Sequence, residues 1–383
     1  MFRRTTPDRA AHTWVEISRA ALASNLAVFR GMIGRDRLLM AVVKADAYGH
    51  GARLIASTAL EAGADWIGVF LPEEGAALRE AGVRAPVLVL GPTPPASIDA
   101  ALAADLRLTV PSIDAARHLA SGRAVGATVH LKLETGTNRQ GLSADELPEA
   151  VRALEGAGAR IEGAYTHFAD IEDTTDHAYA EAQLDRFEGC LRALESLGAK
   201  VPMPHTACTA AAILFPRTYF AMARVGIGMY GLWPSKETQV SANAVGRNRL
   251  GLEPVMTWKT RIAQIKQLRP GEYVGYGRTF RTTRETRLAV LPVGYADGYA
   301  RSLSNAARVL VRGVRAPVLG RICMNLSMVD VTDVPDATPG DEVVLLGRQG
   351  EEAITAEDLA RIAGTINYEI VARAAPGAPR IPV

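Results

Sequence analysis

Between Leu38 and Leu232, short apolar runs alternate with amphipathic segments, which is typical of repeated βα units. Helix signals frame the intervening segments, as in residues 72–82, where a proline opens and a glycine closes the pattern. We predict strands at residues 38–43, 66–70, 87–90, 106–110, 129–134, 161–167, 203–206 and 224–229. Such a succession predicts an α/β fold, a (β/α)8 TIM-like barrel, with its chemistry at the carboxyl ends of the strands.

The pattern changes after the barrel. Residues 233–252 are polar and predict a loop-like connection, and beyond them strands follow without intervening helices. We predict these strands at residues 255–268, 287–293, 308–311, 318–322, 328–331 and 342–346, with a closing helix from about Thr355 toward Glu369. The predicted domains are therefore a barrel at residues 1–245 and a mainly antiparallel β domain at residues 246–383, with which residues 1–20 pair.

Composition limits the classes of partner. The 383 residues carry a formal net charge of +2 without a block of basic residues, so we expect neither nucleic acid nor a membrane surface as partner. Three cysteines lie far apart without a C-x-x-C pair, which suggests neither a disulfide framework nor a zinc site. No segment resembles a signal peptide or a membrane span. We expect a cytoplasmic protein that acts on a small molecule.

Lys44 directly follows the apolar run of residues 38–43. An ammonium group at the end of a buried strand is partly desolvated, which lowers its pKa and frees the amine as a nucleophile toward carbonyl groups. Lys44 is therefore a candidate for a Schiff base. Taken alone, a lysine at such a position is more often one whose aliphatic stem packs at the strand end while its charge reaches water.

Four segments together carry a family resemblance. Residues 42–51, which read VVKADAYGHG, resemble the pyridoxal-phosphate lysine motif of alanine racemases. Residues 224–231, 291–298 and 320–325 resemble further signatures of that family, and all occur in family order. The resemblance covers nearly the whole chain and implies a fold type III enzyme that depends on pyridoxal 5'-phosphate. It would interconvert L-alanine and D-alanine, an isomerase activity that supplies D-alanine for peptidoglycan.

The reaction requires two proton-transferring groups on opposite faces of the substrate. The resemblance assigns these catalytic roles to Lys44, which also carries the cofactor, and to Tyr295. Free tyrosine has a pKa of about 10 and is a poor base at neutral pH, so donors or positive charge must favour its phenolate. In the family the tyrosine crosses from a partner subunit, which implies a homodimer with composite active sites.

The resemblance also implies further contacts. It places His167 and Arg224 in a relay from the phenol to the pyridine nitrogen, and an arginine there favours reprotonation because it cannot accept a proton. It assigns the amino-acid substrate to Arg139 and Met324, and possible carbamylation to Lys132, which could otherwise be a plain strand lysine. The remaining cofactor contacts, mainly to the phosphate, fall on Tyr48, Thr209, Gly226, Ile227 and Tyr368.

Some positions depart from the family pattern. Cys208 replaces an expected asparagine, Asn325 replaces the usual aspartate, and Thr137, Asn138 and Gln140 differ from the residues expected around Arg139. A broader-range racemase acting on serine or lysine therefore stays open. So do a decarboxylase on the same plan, which Arg224 disfavours, and a cofactor carrier without turnover. Residues 226–231 also match G-x-G-x-x-G, but the segment comes late in the chain and no acidic residue ends a second strand about twenty positions further on, as dinucleotide binding needs.

Overall fold

The computed structural model describes residues 12–121, 125–247 and 249–383. They form two compact units: one comprises Ala21–Ala47 and Ala52–Glu253, and the other comprises the described residues up to Ala20, Tyr48–Gly51 and Pro254–Val383. Neither unit is thus a single run of sequence. In the second unit, strand β1 (Thr13–Ile17) pairs with residues 256–260, in line with the predicted N-terminal pairing. Residues 1–11, which that prediction also included, lie outside the described residues.

The first unit contains a parallel sheet of eight strands in the described part of the chain, which confirms the barrel. The strands are β2 (Leu38–Val42), β3 (Trp66–Val69), β4 (Val87–Val89), β5 (Leu106–Val110), β6 (Thr128–Lys132), β7 (Arg160–Tyr165), β8 (Met203–His205) and β9 (Met222–Val225). Each strand from β2 to β8 pairs with the next, and β9 pairs with β2. The Arg224 N–H donates to the Ala207 carbonyl just beyond β8, which closes the ring.

The helix Arg19–Ile33 precedes β2, and a helix follows each of the eight strands. These helices span Ala52–Glu61, Pro72–Glu80, Ile98–Ala103, Ile113–Ala120, Leu147–Gly156, Ala178–Ser196, Thr209–Leu214 and Lys236–Ala244. The last of them lies within residues 233–252, where the predicted loop is therefore wrong. It begins because the Ser235 hydroxyl accepts the Thr238 N–H at 2.8 Å, an N-cap that the polar composition concealed.

The eighth strand is shorter than predicted. It ends at Val225, and Ile227–Tyr230 forms a single 3-10 turn that Gly231 closes with a φ of 82°. A Cβ on Gly228 would lie 2.4 Å from the Phe29 ring and 2.6 Å from the Thr209 methyl group. The apolar residues of this segment are buried as a strand's would be, which explains the incorrect prediction.

The second unit is built mainly from antiparallel strands, as predicted. They are β1, β10 (Met256–Arg261), β11 (Gln264–Leu268), β12 (Tyr273–Val274), β13 (Phe280–Arg281), β14 (Thr286–Leu291), β15 (Arg308–Val311), β16 (Val314–Pro317), β17 (Ser327–Asp330), β18 (Glu342–Gln349), β19 (Glu352–Ile354) and β20 (Arg380–Pro382). One sheet has the order β16-β15-β18-β10-β1-β20, and another has the order β11-β14-β17. Only β1 and β20 run parallel among the strand pairs described in this unit.

Three predictions for this unit are corrected. Residues 255–268 form two strands in different sheets, because the chain turns at Ile262 and Ala263. Residues 318–322 form no strand, since Gly320 has a φ of 73° and only Val318 makes an isolated bridge. The closing helix spans Ala356–Ala363, ends at left-handed Gly364, and is followed by a second helix, Asn367–Ala372.

Among the described residues, no helix combines the length and the apolar character needed to cross a membrane.

Candidate active site at the carboxyl ends of the barrel strands

Lys44 lies directly beyond β2, where the preceding Val43 N–H donates to the Gly68 carbonyl of β3 at 2.7 Å. Burial lowers the pKa of the Lys44 ammonium, and the positive charge of Arg139 lowers it further. Glu74 and Glu172 act in the opposite direction without reversing the shift. The amine is therefore neutral more often than that of an exposed lysine, as a nucleophile or a base requires.

A left-handed turn follows this lysine. Residues 45–47 have φ values of 53°, 51° and 55°. This conformation costs each of the two alanines about 1–2 kcal/mol, whereas aspartate tolerates it better. Two carboxylates hold the turn: Glu74 accepts the Ala45 N–H, and Asp46 accepts the Ala52 N–H, each at 2.7 Å. Strain of this kind persists only where the surroundings enforce it, and it concentrates at functional sites.

Arg224, on β9, is buried and almost fully hydrogen bonded. Its Nη1 atom lies 2.7 Å from His205 Nδ1 and donates to the His205 carbonyl, while Nη2 donates to the carbonyls of Thr166 and Thr206. The fifth donor, the Nε–H, has no acceptor among the described residues. An aromatic face lies against the cation, since the Tyr165 ring centre is 5.2 Å from Cζ. The side chain is thus fixed with one donor available.

The imidazole that contacts Arg224 is His205, a residue that the sequence reasoning did not assign. The hydrogen bond that the predicted relay requires between His167 and Arg224 is not formed among the described residues, and the role of His167 stays a prediction. Burial, followed by the charges of Arg224 and Lys132, lowers the pKa of His167 well below its usual value. The position of His205 near the end of a predicted strand was the available signal for it.

The loop that carries Arg139 is anchored on both sides. The Glu134 carboxylate accepts the Gly136 N–H at 2.5 Å, and the Thr137 hydroxyl donates to the His167 carbonyl at 2.6 Å. Asn138 has a φ of 52°, which asparagine tolerates better than most residues. The unusual Thr137 and Asn138 therefore stabilise this loop and leave Arg139 exposed at its end.

Lys132, on β6, is buried, and its Nζ atom has no hydrogen-bond partner among the described residues. Burial, with the positive charges of Arg224 and Arg139, lowers its pKa well below the usual lysine value. The neutral form of this amine is therefore favoured relative to that of an exposed lysine.

Thr209 connects the two glycines beyond β9. Its hydroxyl oxygen accepts the N–H groups of Gly226 at 3.1 Å and Gly228 at 3.4 Å, so the hydroxyl hydrogen can donate elsewhere. The Ile227 N–H has no acceptor among the described residues. A hydroxyl and an unpaired N–H beside glycines suit an anion. The adjacent Cys208 is buried, which raises the pKa of its thiol to about 12.

The remaining predicted residues belong to the other unit. There the rings of Tyr48 and Tyr368 lie 6.1 Å apart between centres. Tyr295 and Met324 are 42% and 57% exposed, and the Ala296 N–H donates to the Met324 carbonyl. This close approach requires Gly294, whose Cβ would lie 2.4 Å from the same carbonyl oxygen.

Comparison with known families covers both units. The profile described as "Alanine racemase, N-terminal domain" matches residues 17–234. The profile described as "Alanine racemase, C-terminal domain" matches residues 255–382.

Individual relatives match over almost their whole length. Alanine racemases from Halothermothrix orenii and Symbiobacterium thermophilum are each 42% identical to this chain; the matches cover 96% and 97% of it, and the same shares of the two relatives. Among solved structures, the alanine racemase from Bacillus anthracis with bound L-Ala-P has a TM-score of 0.90 at 36% identity, covering 99% of this chain and 96% of that one. The alanine racemase from Streptomyces coelicolor has a TM-score of 0.85 at 37% identity, covering 99% of this chain and 100% of that one.

Proposed function

The chain belongs to the alanine racemase family, and from that premise we propose that it interconverts L-alanine and D-alanine with pyridoxal phosphate carried by Lys44. Its D-alanine would serve peptidoglycan synthesis. The observation that carries the proposal is the half-buried Lys44 side chain at the barrel's strand ends, with its pKa lowered by desolvation and by Arg139. A plain structural lysine would gain nothing from that environment.

The described residues fit the cofactor. The Thr209 hydroxyl and the Ile227 N–H, with Gly226 beside them, would hold the phosphate, and the available Arg224 Nε–H would face the pyridine nitrogen. When bound, pyridoxal phosphate delocalises the electron pair that remains once the Cα proton is removed. Tyr48 and Tyr368 remain the further phosphate contacts that the resemblance implies.

Arg224 would favour racemisation over other reactions. A guanidinium only donates hydrogen bonds, so Arg224 would leave the pyridine nitrogen without a proton of its own and limit the charge that the cofactor can delocalise. Return of the proton to Cα would thereby be favoured. An acidic residue at this position, as in decarboxylases of the same plan, would do the reverse.

Two side chains would move the proton. Lys44 would serve one face of Cα as a neutral amine, and Tyr295 the other as a phenolate. We propose that Tyr295 comes from a second subunit of a head-to-tail homodimer with two composite sites. Its 42% exposure in the single chain leaves it available to a partner.

Substrate recognition would rest on Arg139, whose guanidinium can bind the substrate carboxylate, and on Met324 at the entrance. Lys132 would become carbamylated, because only a neutral amine adds to carbon dioxide, and the carbamate would hold Arg139 in place. Whether the enzyme accepts only alanine depends on the surroundings of Cys208 and Asn325, and a broader range that includes serine or lysine is the second candidate.

One experiment tests cofactor and activity together. The purified protein should absorb near the visible edge, and L-alanine added to it should lose optical rotation until the antipodes are equal. L-serine and L-lysine in parallel reactions measure substrate range, and trapped carbon dioxide measures decarboxylation. Absorbance without racemisation would favour a cofactor carrier and contradict the proposal.

A further inference from the structure

A chain of buried polar side chains leads away from Arg224 through the barrel interior. His205 Nε2 lies 2.9 Å from His130 Nδ1, and His130 Nε2 lies 3.3 Å from Glu162 Oε2. With the Arg224 contact at 2.7 Å, the chain joins β9, β8, β6 and β7 in turn. Barrel interiors are usually filled by branched apolar residues, and buried polar groups are costly unless they are paired. This layer therefore needs a reason beyond packing.

The two ends fix the direction of every hydrogen bond. Arg224 can only donate, so His205 must accept at Nδ1 and carry its hydrogen at Nε2. That hydrogen is donated to His130 Nδ1, so His130 also carries its hydrogen at Nε2 and donates it to the Glu162 carboxylate. Glu162 is held as an acceptor by Arg160, whose Nη2 lies 2.7 Å from Oε1. Both imidazoles are thereby set in one neutral tautomer.

The pKa directions agree with this assignment. Burial lowers the pKa of His130 and, together with the charge of Arg224, lowers that of His205 well below the usual value. For Glu162, burial acts upward, but the hydrogen bonds from His130 and Arg160, with the positive charge of Arg160, outweigh it and lower the pKa. The residues thus form one cation, two neutral rings and one carboxylate.

Gly163 makes the contact between the rings possible. It lies on β7 between the two histidine strands, and a Cβ there would lie 2.4 Å from His130 Nδ1, the atom that meets His205. The same Cβ would lie 2.6 Å from the Met203 carbonyl oxygen on β8. An alanine at this position would therefore displace His130 and the strand that carries His205, and separate the rings without removing a polar group.

We propose that His130 and Glu162 are positioning residues that fix the tautomer of His205 and so hold Arg224 with its Nε–H directed at the cofactor ring. The proposal rests on the function assigned to Arg224 above. If His205 carried its hydrogen at Nδ1, two donors would face each other, and Arg224 would have to turn. Its available Nε–H would then leave the position that its carbonyl contacts define.

Tautomers are tested first in the holoenzyme labelled with [15N]histidine. NMR spectra that correlate each ring nitrogen with the hydrogens on the ring carbons two bonds away should show His130 and His205 as neutral rings with hydrogen on Nε2. The signals of each ring are assigned by their loss in His130→Asn or His205→Asn. An imidazolium, or hydrogen on Nδ1 in either ring, would overturn the proposal.

Function is tested with Gly163→Ala. We expect the His205 signals to change, the cofactor's absorbance to shift, and kcat to fall about tenfold or more, as for other outer-shell partners of a site. KM should stay close to that of the wild type, because substrate binding is assigned to Arg139, which is not one of the hydrogen-bonded residues from Arg224 to Glu162. The control is Gly75→Ala, whose Cβ would lie 2.9 Å from Leu106 and would not contact Arg224, His205, His130 or Glu162.

A second pair of variants separates hydrogen-bond direction from packing. Glu162→Gln keeps a carbonyl oxygen to accept from His130 and should retain the tautomers and kcat; Glu162→Leu should lose both. Equal kcat in Glu162→Leu and Glu162→Gln would refute the positioning role. If the wild-type protein binds the cofactor but does not racemise alanine, the proposed function fails. The histidine tautomers and the shift of the cofactor absorbance in Gly163→Ala would then still test whether His130 and Glu162 position Arg224.

Discussion

The Nζ atom of Lys132 lies 4.9 Å from the centre of the Tyr165 ring and has no hydrogen-bond partner among the described residues. A cation–π contact stabilises an ammonium by about 2 kcal/mol when desolvated, which does not offset the burial of an unpaired charge. Burial and the nearby arginines accordingly lower the pKa of Lys132. The neutral form of its amine, which can add to carbon dioxide, is thereby favoured.

We therefore predict a carbamate on Lys132. Protein equilibrated with [13C]bicarbonate should show one slowly exchanging carbamate carbon signal, and Lys132→Met should remove it together with part of kcat. Lys259→Met is the control, because Lys259 is paired with Glu16 at 3.0 Å and Glu342 at 3.1 Å. A carbamate signal that persists in Lys132→Met would place the modification elsewhere.

Stability should fall in mild acid because of the buried imidazoles. His130 and His205 have folded-state pKa values below the unfolded value of about 6.5, so the unfolded chain binds more protons below that pH. Above about pH 6.5 the two histidines make their full contribution to the free energy of unfolding. That contribution decreases as pH falls toward their folded-state pKa values, by up to about 1.4 kcal/mol per pH unit for each group.

Urea unfolding between about pH 5 and 7.5, at fixed protein and cofactor concentration, measures this slope. His130→Gln should make the slope shallower even though it lowers overall stability. His118→Gln, on an exposed helix position, should leave the slope unchanged. Parallel curves for wild type and His130→Gln would show that His130 does not stay neutral.

Replacing an alanine by glycine in the left-handed turn after Lys44 should raise the free energy of unfolding. Ala45 is exposed with a φ of 53°, so Ala45→Gly removes left-handed strain of about 1–2 kcal/mol and adds a chain-entropy cost of about 0.5–1 kcal/mol. We expect a net gain of about 0.5–1 kcal/mol in the free energy of unfolding. Ala182→Gly, inside the helix Ala178–Ser196, should instead lose about 1 kcal/mol. A loss at both positions would mean that the turn stores no strain.

The barrel could be predicted because its signals are local. Apolar runs at regular intervals place each strand, and Lys44 follows directly from the first of them. The segment of residues 45–47 has no such signal: alanine and aspartate do not mark a left-handed turn, which is imposed by Glu74 from another part of the chain.

The arrangement around Arg224 depends on distant contacts. His130 and His205 are 75 residues apart in sequence, and their hydrogen bond requires Gly163 on the strand between them. No single segment contains that information. The break of residues 255–268 into two strands escaped prediction because the halves pair with different strands, the first with distant β1 and the second with β14.

Composite sites can be tested by mixing. Lys44→Ala removes the cofactor link and Tyr295→Phe removes the second base, so each homodimer should be inactive. If Tyr295 completes the barrel site of the other subunit, a heterodimer has one site with both residues intact. Unfolding and refolding the two variants together should then restore activity, whereas refolding either alone should not. Full activity of a strictly monomeric wild-type fraction would contradict the dimer proposal.

Lys44 itself should carry the cofactor. In Lys44→Ala, borohydride should fix no cofactor to the chain and the absorbance near the visible edge should be lost. Lys259→Ala serves as control because its ion pairs lie in the other unit. Cofactor still reducible onto the Lys44→Ala chain would show that another lysine carries it.

Lys44 and Tyr295 should divide the two antipodes between them. Each base reaches only one face of Cα, and the loss of a positioned base typically costs about 10²- to 10⁴-fold in rate. Net racemisation cannot show the difference, because the equilibrium constant between antipodes is one and both directions slow equally. Exchange can: we assign Tyr295 to L-alanine, so Tyr295→Phe should nearly abolish loss of the α-deuteron from L-alanine while retaining some from D-alanine.

Tyr299→Phe is the matched control for that exchange. It removes a hydroxyl from the same segment that is buried and has no hydrogen-bond partner among the described residues, so exchange from both antipodes should match wild type. The asymmetry should reverse if Lys44 abstracts from L-alanine instead. Equal residual exchange from both antipodes in Tyr295→Phe would mean that one base serves both faces of Cα, and the assignment of two bases would have to be abandoned.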